Sequence, residues 1–315
     1  MSAAQRLHGG ADALGVPLHD FSTNAHACGP CPQAWAAVRG ADATRYPDPA
    51  YAALREALAG LHGVAASRIV PAASASELIF RLTAWVASRG GRCVALPAHG
   101  YGDYAAAAQA WGMESVDAAH SDLAWACNPS SPLGASHPLI EGPGVMALDR
   151  AYEPLRLDGT PPVAALLARM WQLWTPNKAL GLTGVRGAYA IAPADADTGP
   201  VQALAPSWPL GAHAVAMLLA WCTQAAQHWL QESLATLRGW KTRQIAVCQE
   251  LGWECLPSDA NFFVAKVGHA EPGMAEILRT RGIKLRDCAS FGLPGHVRLG
   301  VLAPASQDAL REALQ

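Results

Sequence analysis

The sequence predicts an α/β protein: a mostly parallel sheet flanked by helices, followed by a smaller α+β domain. Three observations carry this. Short apolar runs at 93–96, 123–127, 145–148, 170–174 and 188–191 alternate with helical patterns, as buried parallel strands do when helices cover both faces. Helix-start signals sit where those patterns begin. Beyond Pro209 the rhythm changes to two long helical patterns and then to a different set of strand-like pieces.

Taken in order, Asp48-Pro49 can cap and start a helix carrying Tyr51, Leu54, Leu58 and Leu61 and ending at Gly63. Ser74-Ala-Ser-Glu77 is a capping box heading a helix over 74–88. The five apolar runs follow, each short enough for a strand. After the two long helices come Asn261-Phe-Phe-Val-Ala-Lys-Val267 as a strand, a helix over 271–281, and further strand pieces up to Val301. The expected division is a large domain over 33–210 and a small domain made from 1–32 and 211–315. No internal repeat or low-complexity linker interrupts it.

The chain has 315 residues, 51% of them hydrophobic and 15% charged, and a formal net charge of -2. With charges of both signs interspersed there is no basic stripe for nucleic acid and no polybasic patch for a membrane surface. The expected partner is a small molecule. The opening MSAAQRLHGG lacks the apolar core of a signal peptide, so a cytoplasmic protein is expected. No charge occurs between Asp197 and Glu232. The continuous apolar part of that stretch is far below the roughly 20 residues a bilayer needs, so a buried helix is expected there. Cys28-Gly-Pro-Cys31 has C-x-x-C spacing, but no apolar strand leads into it, and reduced thiols are the expectation. No metal-ligating pattern stands out.

Four segments carry chemistry. The first is Thr175-Pro-Asn-Lys178-Ala-Leu-Gly-Leu-Thr-Gly184-Val-Arg186-Gly187, directly after an apolar strand. A lysine at a buried strand end is costly without a task; a desolvated amine is nucleophilic and suits a Schiff base, and Arg186 offers a fork suited to phosphate. The plain alternative is a solvent-facing Lys and Arg in a loop. Second, Asp149 closes a strand, with Tyr152 three residues on; a carboxylate there can hold a protonated pyridine nitrogen or act as an ordinary helix cap. Third, the helix head at Ser74 presents Ala75 and Ser76, whose free amides and positive dipole end attract phosphate. Fourth, Asn128-Pro-Ser-Ser131-Pro-Leu-Gly134 is a strand-ending turn facing the same sheet edge.

Together and in order, these segments resemble the fold-type I, class I/II aminotransferase superfamily of pyridoxal-phosphate (PLP) enzymes. The branch is that of histidinol-phosphate aminotransferases and threonine-phosphate decarboxylases. Thr175-x-x-Lys178 with Gly184-x-Arg186 resembles the family's lysine signature, Asp149-Arg-Ala-Tyr152 its Asp-Glu-Ala-aromatic, and Tyr46-Pro-Asp48 its Tyr-Pro-Asp. The resemblance implies PLP as cofactor, with Lys178, Asp149 and Tyr152 as the catalytic set: Lys178 as Schiff-base lysine, Asp149 on the pyridine nitrogen and Tyr152 by the ring hydroxyl. It further implies Tyr101 on the ring face, Asn128 and Ser131 among the cofactor's contacts, and Ala75, Ser76, Thr175 and Arg186 on its phosphate. Tyr46 would reach the phosphate of a neighbouring subunit, which implies a homodimer with shared sites. Arg298 falls where the family binds the substrate carboxylate.

His8-Gly-Gly, Asp20-Phe-Ser-Thr-Asn24 and Leu285-Arg-Asp-Cys-Ala-Ser-Phe291 resemble the ends of the threonine-phosphate decarboxylase of cobalamin synthesis. There His8, Asn24, Arg286 and Arg298 would meet the substrate's phosphate and carboxylate. The expected activity is therefore threonine-phosphate decarboxylation; the alternatives are a histidinol-phosphate type of transamination and a degenerate PLP-binding protein. The sequence departs from the family at Ser131, where an Asn is usual, and at Ala72-Ala73-Ser74, where Gly-Asn-Gly is usual. It departs again at Arg150, where an acid is usual, and in a connection from Gly134 to Asp149 too short for the family's helix.

Overall fold

A computed structural model describes residues 9–136, 142–267 and 273–315. A seven-stranded sheet runs in the order Ile69–Ala72, Ala188–Ile191, Trp171–Trp174, Val145–Asp149, Leu123–Cys127, Cys93–Ala95, Glu114–Ser115. The five predicted runs are all in it. Ala188–Ile191 is antiparallel to both of its neighbours, and the other neighbouring pairs are parallel. The two outer strands were not foreseen.

In helix Ala75–Ser88, Leu78, Ile79 and Leu82 are fully buried; they cluster with Val94, Leu123, Trp171 and Ala190 of the sheet. Each such side chain stabilises the layer by roughly 1.5–3 kcal/mol. The earlier helix starts later than expected, at Ala52: Asp48 accepts from the Ala50 and Ala52 amides, but Tyr51 takes a left-handed conformation (φ 51°). That residue's hydroxyl is held by the Leu210 carbonyl at 3.0 Å, which fixes it outside the helix.

Helices Ala212–Trp221 and Gln224–Glu250 fill the two long helical patterns. The uncharged stretch is the buried helix expected, with Met217 and Leu218 fully covered. Among the described residues no helix is long and apolar enough to cross a membrane. A four-stranded antiparallel sheet follows, ordered Arg286–Asp287, His296–Gly300, Phe262–Lys266, Glu254–Cys255. The expected helix over 271–281 is described from Met274 to Thr280, and 271–272 lie outside the described residues. The N-terminal segment joins this part, because His19–Asp20 pairs parallel with Ile283–Lys284 and the Gly300 amide donates to the Phe21 carbonyl. One core containing Leu54, Leu180, Met217, Phe263 and Leu299 runs between the two sheets. Of the short connection after Gly134, residues 137–141 lie outside the described residues; no helix occurs in the described remainder.

Candidate active site

Five parallel strands end at one edge of the large sheet, and the chain leaving them carries Ser74, Tyr101, Ser131, Asp149 and Lys178. Such an edge is where open α/β sheets bind ligands. There a cavity of about 150 Å³, lined by Ala75, Ser76, Asp149, Thr175, Lys178 and Arg186 among others, adjoins a wider one of about 480 Å³ reached by Asn24, Arg286 and Arg298. Tyr101, Ser131, Tyr152, Asn177, Lys178 and Arg186 line both.

At the helix head, Ser74 Oγ accepts from the Glu77 amide at 3.0 Å. The returning contact of the capping box is shifted by one residue: Glu77 Oε2 accepts from the Ala73 amide at 2.5 Å, while Oε1 is held by Arg81. The cap thus takes the third amide of the helix, and those of Ala75 and Ser76, at the first two positions, have no intrahelical partner. With Thr175 and the Arg186 guanidinium lining the same small cavity, these groups form an anion cradle.

Lys178 follows strand Trp171–Trp174 by four residues, in a tight loop closed by Leu180 N–H to Pro176 C=O and Leu182 N–H to Asn177 C=O. Gly181 (φ +67°) makes that loop possible, since a Cβ there would meet Gly29 Cα at 3.0 Å. The N-terminal segment straps the loop down through His26 N–H to Lys178 C=O and Cys31 N–H to Leu180 C=O. Lys178 Nζ donates to Thr175 Oγ1 at 3.5 Å and lies 5.5 Å from the centre of the Tyr152 ring.

Asp149 is buried. Its Oδ1 accepts from the Ala151 amide at 2.9 Å and its Oδ2 from the Tyr104 hydroxyl at 2.8 Å. Burial raises its pKa, while the Ala151 amide, the Tyr104 hydroxyl and the Lys178 charge pull it back. Tyr152 presents its hydroxyl to Asn24 Nδ2 at 3.2 Å, and Asn24 Oδ1 is buried with no partner among the described residues. Tyr101 exchanges a hydrogen bond with Ser76 Oγ at 3.1 Å.

In the wider cavity Arg298 donates to the Ser22 carbonyl and to Ser131 Oγ, at 3.0 and 3.3 Å, and its buried Nε has no partner among the described residues. Arg286 donates to Ser290 Oγ at 2.9 Å and to the Asp287 carbonyl at 2.7 Å. Burial, and then the charge of Arg298, lowers the Arg286 pKa.

Most of the expected site residues meet here; two of the described ones do not, and a third lies outside the described residues. Asn128 lines neither cavity; its Oδ1 is taken by Arg156 at 2.6 Å and Ser136 at 3.2 Å. Tyr46 is 77% exposed and stacks on Trp208 at 4.5 Å, away from both cavities. His8 lies outside the described residues. Arg150 turns away from the site: it bonds Gln172 at 2.8 Å, lies 4.4 Å from the Trp174 ring centre and pairs with Glu153, so the change from the usual acid leaves the cavity untouched. Sequence reasoning missed Tyr104, Ser22 and Asn177. Asn177 carried a signal as a polar neighbour of the strand-end lysine, and Ser22 lay inside the Asp20–Asn24 segment; Tyr104 carried none.

The donor set fits a phosphorylated pyridine aldehyde: an anion cradle, an amine and a buried carboxylate surround one small cavity. A family model described as aminotransferase class I and II matches residues 149–315. A histidinol-phosphate aminotransferase of Symbiobacterium thermophilum is 28% identical, covering 95% of this chain and 91% of that one. Histidinol-phosphate aminotransferase 1 of Thiobacillus denitrificans is 30% identical, covering 89% and 80%. Among solved structures, a histidinol-phosphate aminotransferase from Sinorhizobium meliloti in complex with pyridoxal-5'-phosphate superposes with TM-score 0.77 at 23% identity, covering 93% of this chain and 88% of that one. L-threonine-O-3-phosphate decarboxylase from Porphyromonas gingivalis does so with TM-score 0.78 at 21% identity, covering 93% and 97%. The chain belongs to the class I and II aminotransferases and is a PLP-dependent enzyme of that superfamily.

Proposed function

We propose that this enzyme transaminates a phosphorylated amino compound in the manner of its histidinol-phosphate aminotransferase relatives. Lys178 holds the cofactor and carries the substrate's α-proton. The observation that carries the choice of an anionic substrate is the register of the small sheet: Arg286 is the direct cross-strand partner of Arg298. Like charges directly opposite destabilise a sheet, so two such arginines at a cavity wall favour an anionic ligand, such as one carrying a phosphate. The curated relatives support transamination over decarboxylation.

PLP, when bound, supplies an electron sink for charge developing at the substrate's Cα. Asp149 would face its pyridine nitrogen, Tyr152 and Ser131 its ring hydroxyl, Tyr101 its ring face, and Ala75, Ser76, Thr175 and Arg186 its phosphate. Lys178 Nζ, kept near Thr175 and the Tyr152 ring, is placed to take a proton from Cα and return it on the other side of the exchange. Arg298 and Arg286 orient the substrate by its anionic groups, the phosphate of the phosphorylated amino compound or the carboxylates of an amino donor such as glutamate, with Asn24 holding the Tyr152 hydroxyl in place. Tyr46, whose exposed ring finds no place in its own subunit's site, supports a homodimer with shared sites. The tie between His19–Asp20 and Ile283–Lys284 supports a small domain built from 1–32 and 211–315 beside a large one over 33–210.

A second reading is decarboxylation of threonine phosphate, the activity expected from the sequence. It is favoured by Gly9, Ser22 and Asn24 of the N-terminal segment lining the substrate cavity. The test is incubation of the holoenzyme with histidinol phosphate plus 2-oxoglutarate, and separately with O-phosphothreonine. Glutamate formed in the first supports transamination; CO2 released in the second, with no glutamate in the first, overturns it.

A further inference from the structure

Helix Gly102–Ala110 starts just after Tyr101 and brings Tyr104 round to the same face three residues later. Tyr101 lines both cavities; Tyr104 is 1% exposed and lies behind it. The Tyr104 ring stacks on Trp125, with centroids 5.1 Å apart and planes 14° from parallel, and meets Tyr101 edge-on at 6.0 Å. In this packing the hydroxyl donates to Asp149 Oδ2 at 2.8 Å. The other carboxylate oxygen already receives the Ala151 amide. Both contacts come from neutral donors that bond best to the ionised form. Burial holds the Tyr104 hydroxyl well above the ordinary phenol pKa, so it remains a donor at any working pH.

We propose that Tyr104 is a positioning residue that holds Asp149 as an oriented carboxylate, ready to receive the cofactor's protonated pyridine nitrogen. Without it, Oδ2 would lose the hydroxyl donation that it receives at 2.8 Å. The buried carboxyl would then favour its neutral form, which cannot pair with a pyridinium. The inference rests on the reading that Asp149 meets the pyridine nitrogen, and the experiment separates the two.

Tyr104→Phe keeps the ring and its packing but removes the donation. PLP affinity is measured by equilibrium dialysis, and the pH dependence of the bound cofactor's visible band by titration, for wild type, Tyr104→Phe, Asp149→Ala and the double variant, with the apo-protein Tm of each. The expected result is a roughly tenfold weaker PLP affinity in Tyr104→Phe, about the worth of one charge-assisted hydrogen bond, together with a shifted visible titration. In the Asp149→Ala background Tyr104→Phe should change neither. Equal losses in both backgrounds, or a lowered Tm with PLP affinity and titration unchanged, overturn the role of Tyr104. An Asp149→Ala variant with wild-type affinity and titration overturns the pyridine reading itself, and this role with it.

Discussion

Arg286 and Arg298 stand directly opposite one another on neighbouring antiparallel strands, both buried at the wall of the wider cavity. Burial, and then the charge of Arg298, disfavours the charged form of Arg286. An anion between them would offset this, and their different partners suggest different tasks. Arg298 reaches Ser131, which also lines the cofactor cavity; Arg286 reaches Ser290, on the outer side.

Arg298→Ala should therefore raise KM for a carboxylate-bearing substrate by ten- to a hundredfold, since a charge-assisted contact is worth roughly 1.5–3 kcal/mol. PLP affinity should stay within about twofold, because Arg298 lies outside the cradle. Steady-state kinetics with glutamate as amino donor checks the first expectation and dialysis the second.

Arg286→Ala should weaken the phosphorylated substrate and leave the unphosphorylated analogue nearly unaffected. The bound cofactor's spectrum should not change. A comparison of kcat/KM for the two substrates in wild type and variant reads this directly. Equal losses on both would assign Arg286 to the fold instead.

Acid stability gives a prediction independent of the cofactor. His26, bonded to Ser233 Oγ at 2.8 Å, and His62, bonded to the Tyr189 hydroxyl at 2.7 Å, are both held down to about 4 by burial. The unfolded chain, with histidines near 6.5, binds more protons than the native one as pH falls through 6.5. Stability is accordingly unaffected by these groups above pH 6.5 and drops between there and about pH 4. His26→Gln and His62→Gln should each flatten that limb, as read from urea midpoints of the apo-protein at pH 5 and 7.

Lys178, Asp149 and the helix head at Ser74 were legible because each is a polar group at the end of an apolar run, a local signal. The strand runs were legible for the same reason, but not the reversed direction of Ala188–Ile191, because a strand buried on both faces reads the same either way. Asn128 looked like a cofactor contact from its turn; only the fold reveals Arg156, 28 residues later, claiming its carbonyl. Tyr104 was invisible because its partner Asp149 is 45 residues away and its own helix, Gly102–Ala110, is rich in alanine. Arg150 looked like a defect in the site until its side chain was found on Gln172 and Trp174.

The most direct measurement is borohydride reduction of the PLP-loaded protein followed by peptide mapping. The account predicts that the visible band disappears and that one pyridoxyl adduct is recovered, on Lys178, while Lys178→Ala retains PLP by its phosphate contacts but has no turnover. An adduct on any other lysine, or normal turnover by Lys178→Ala, would contradict it.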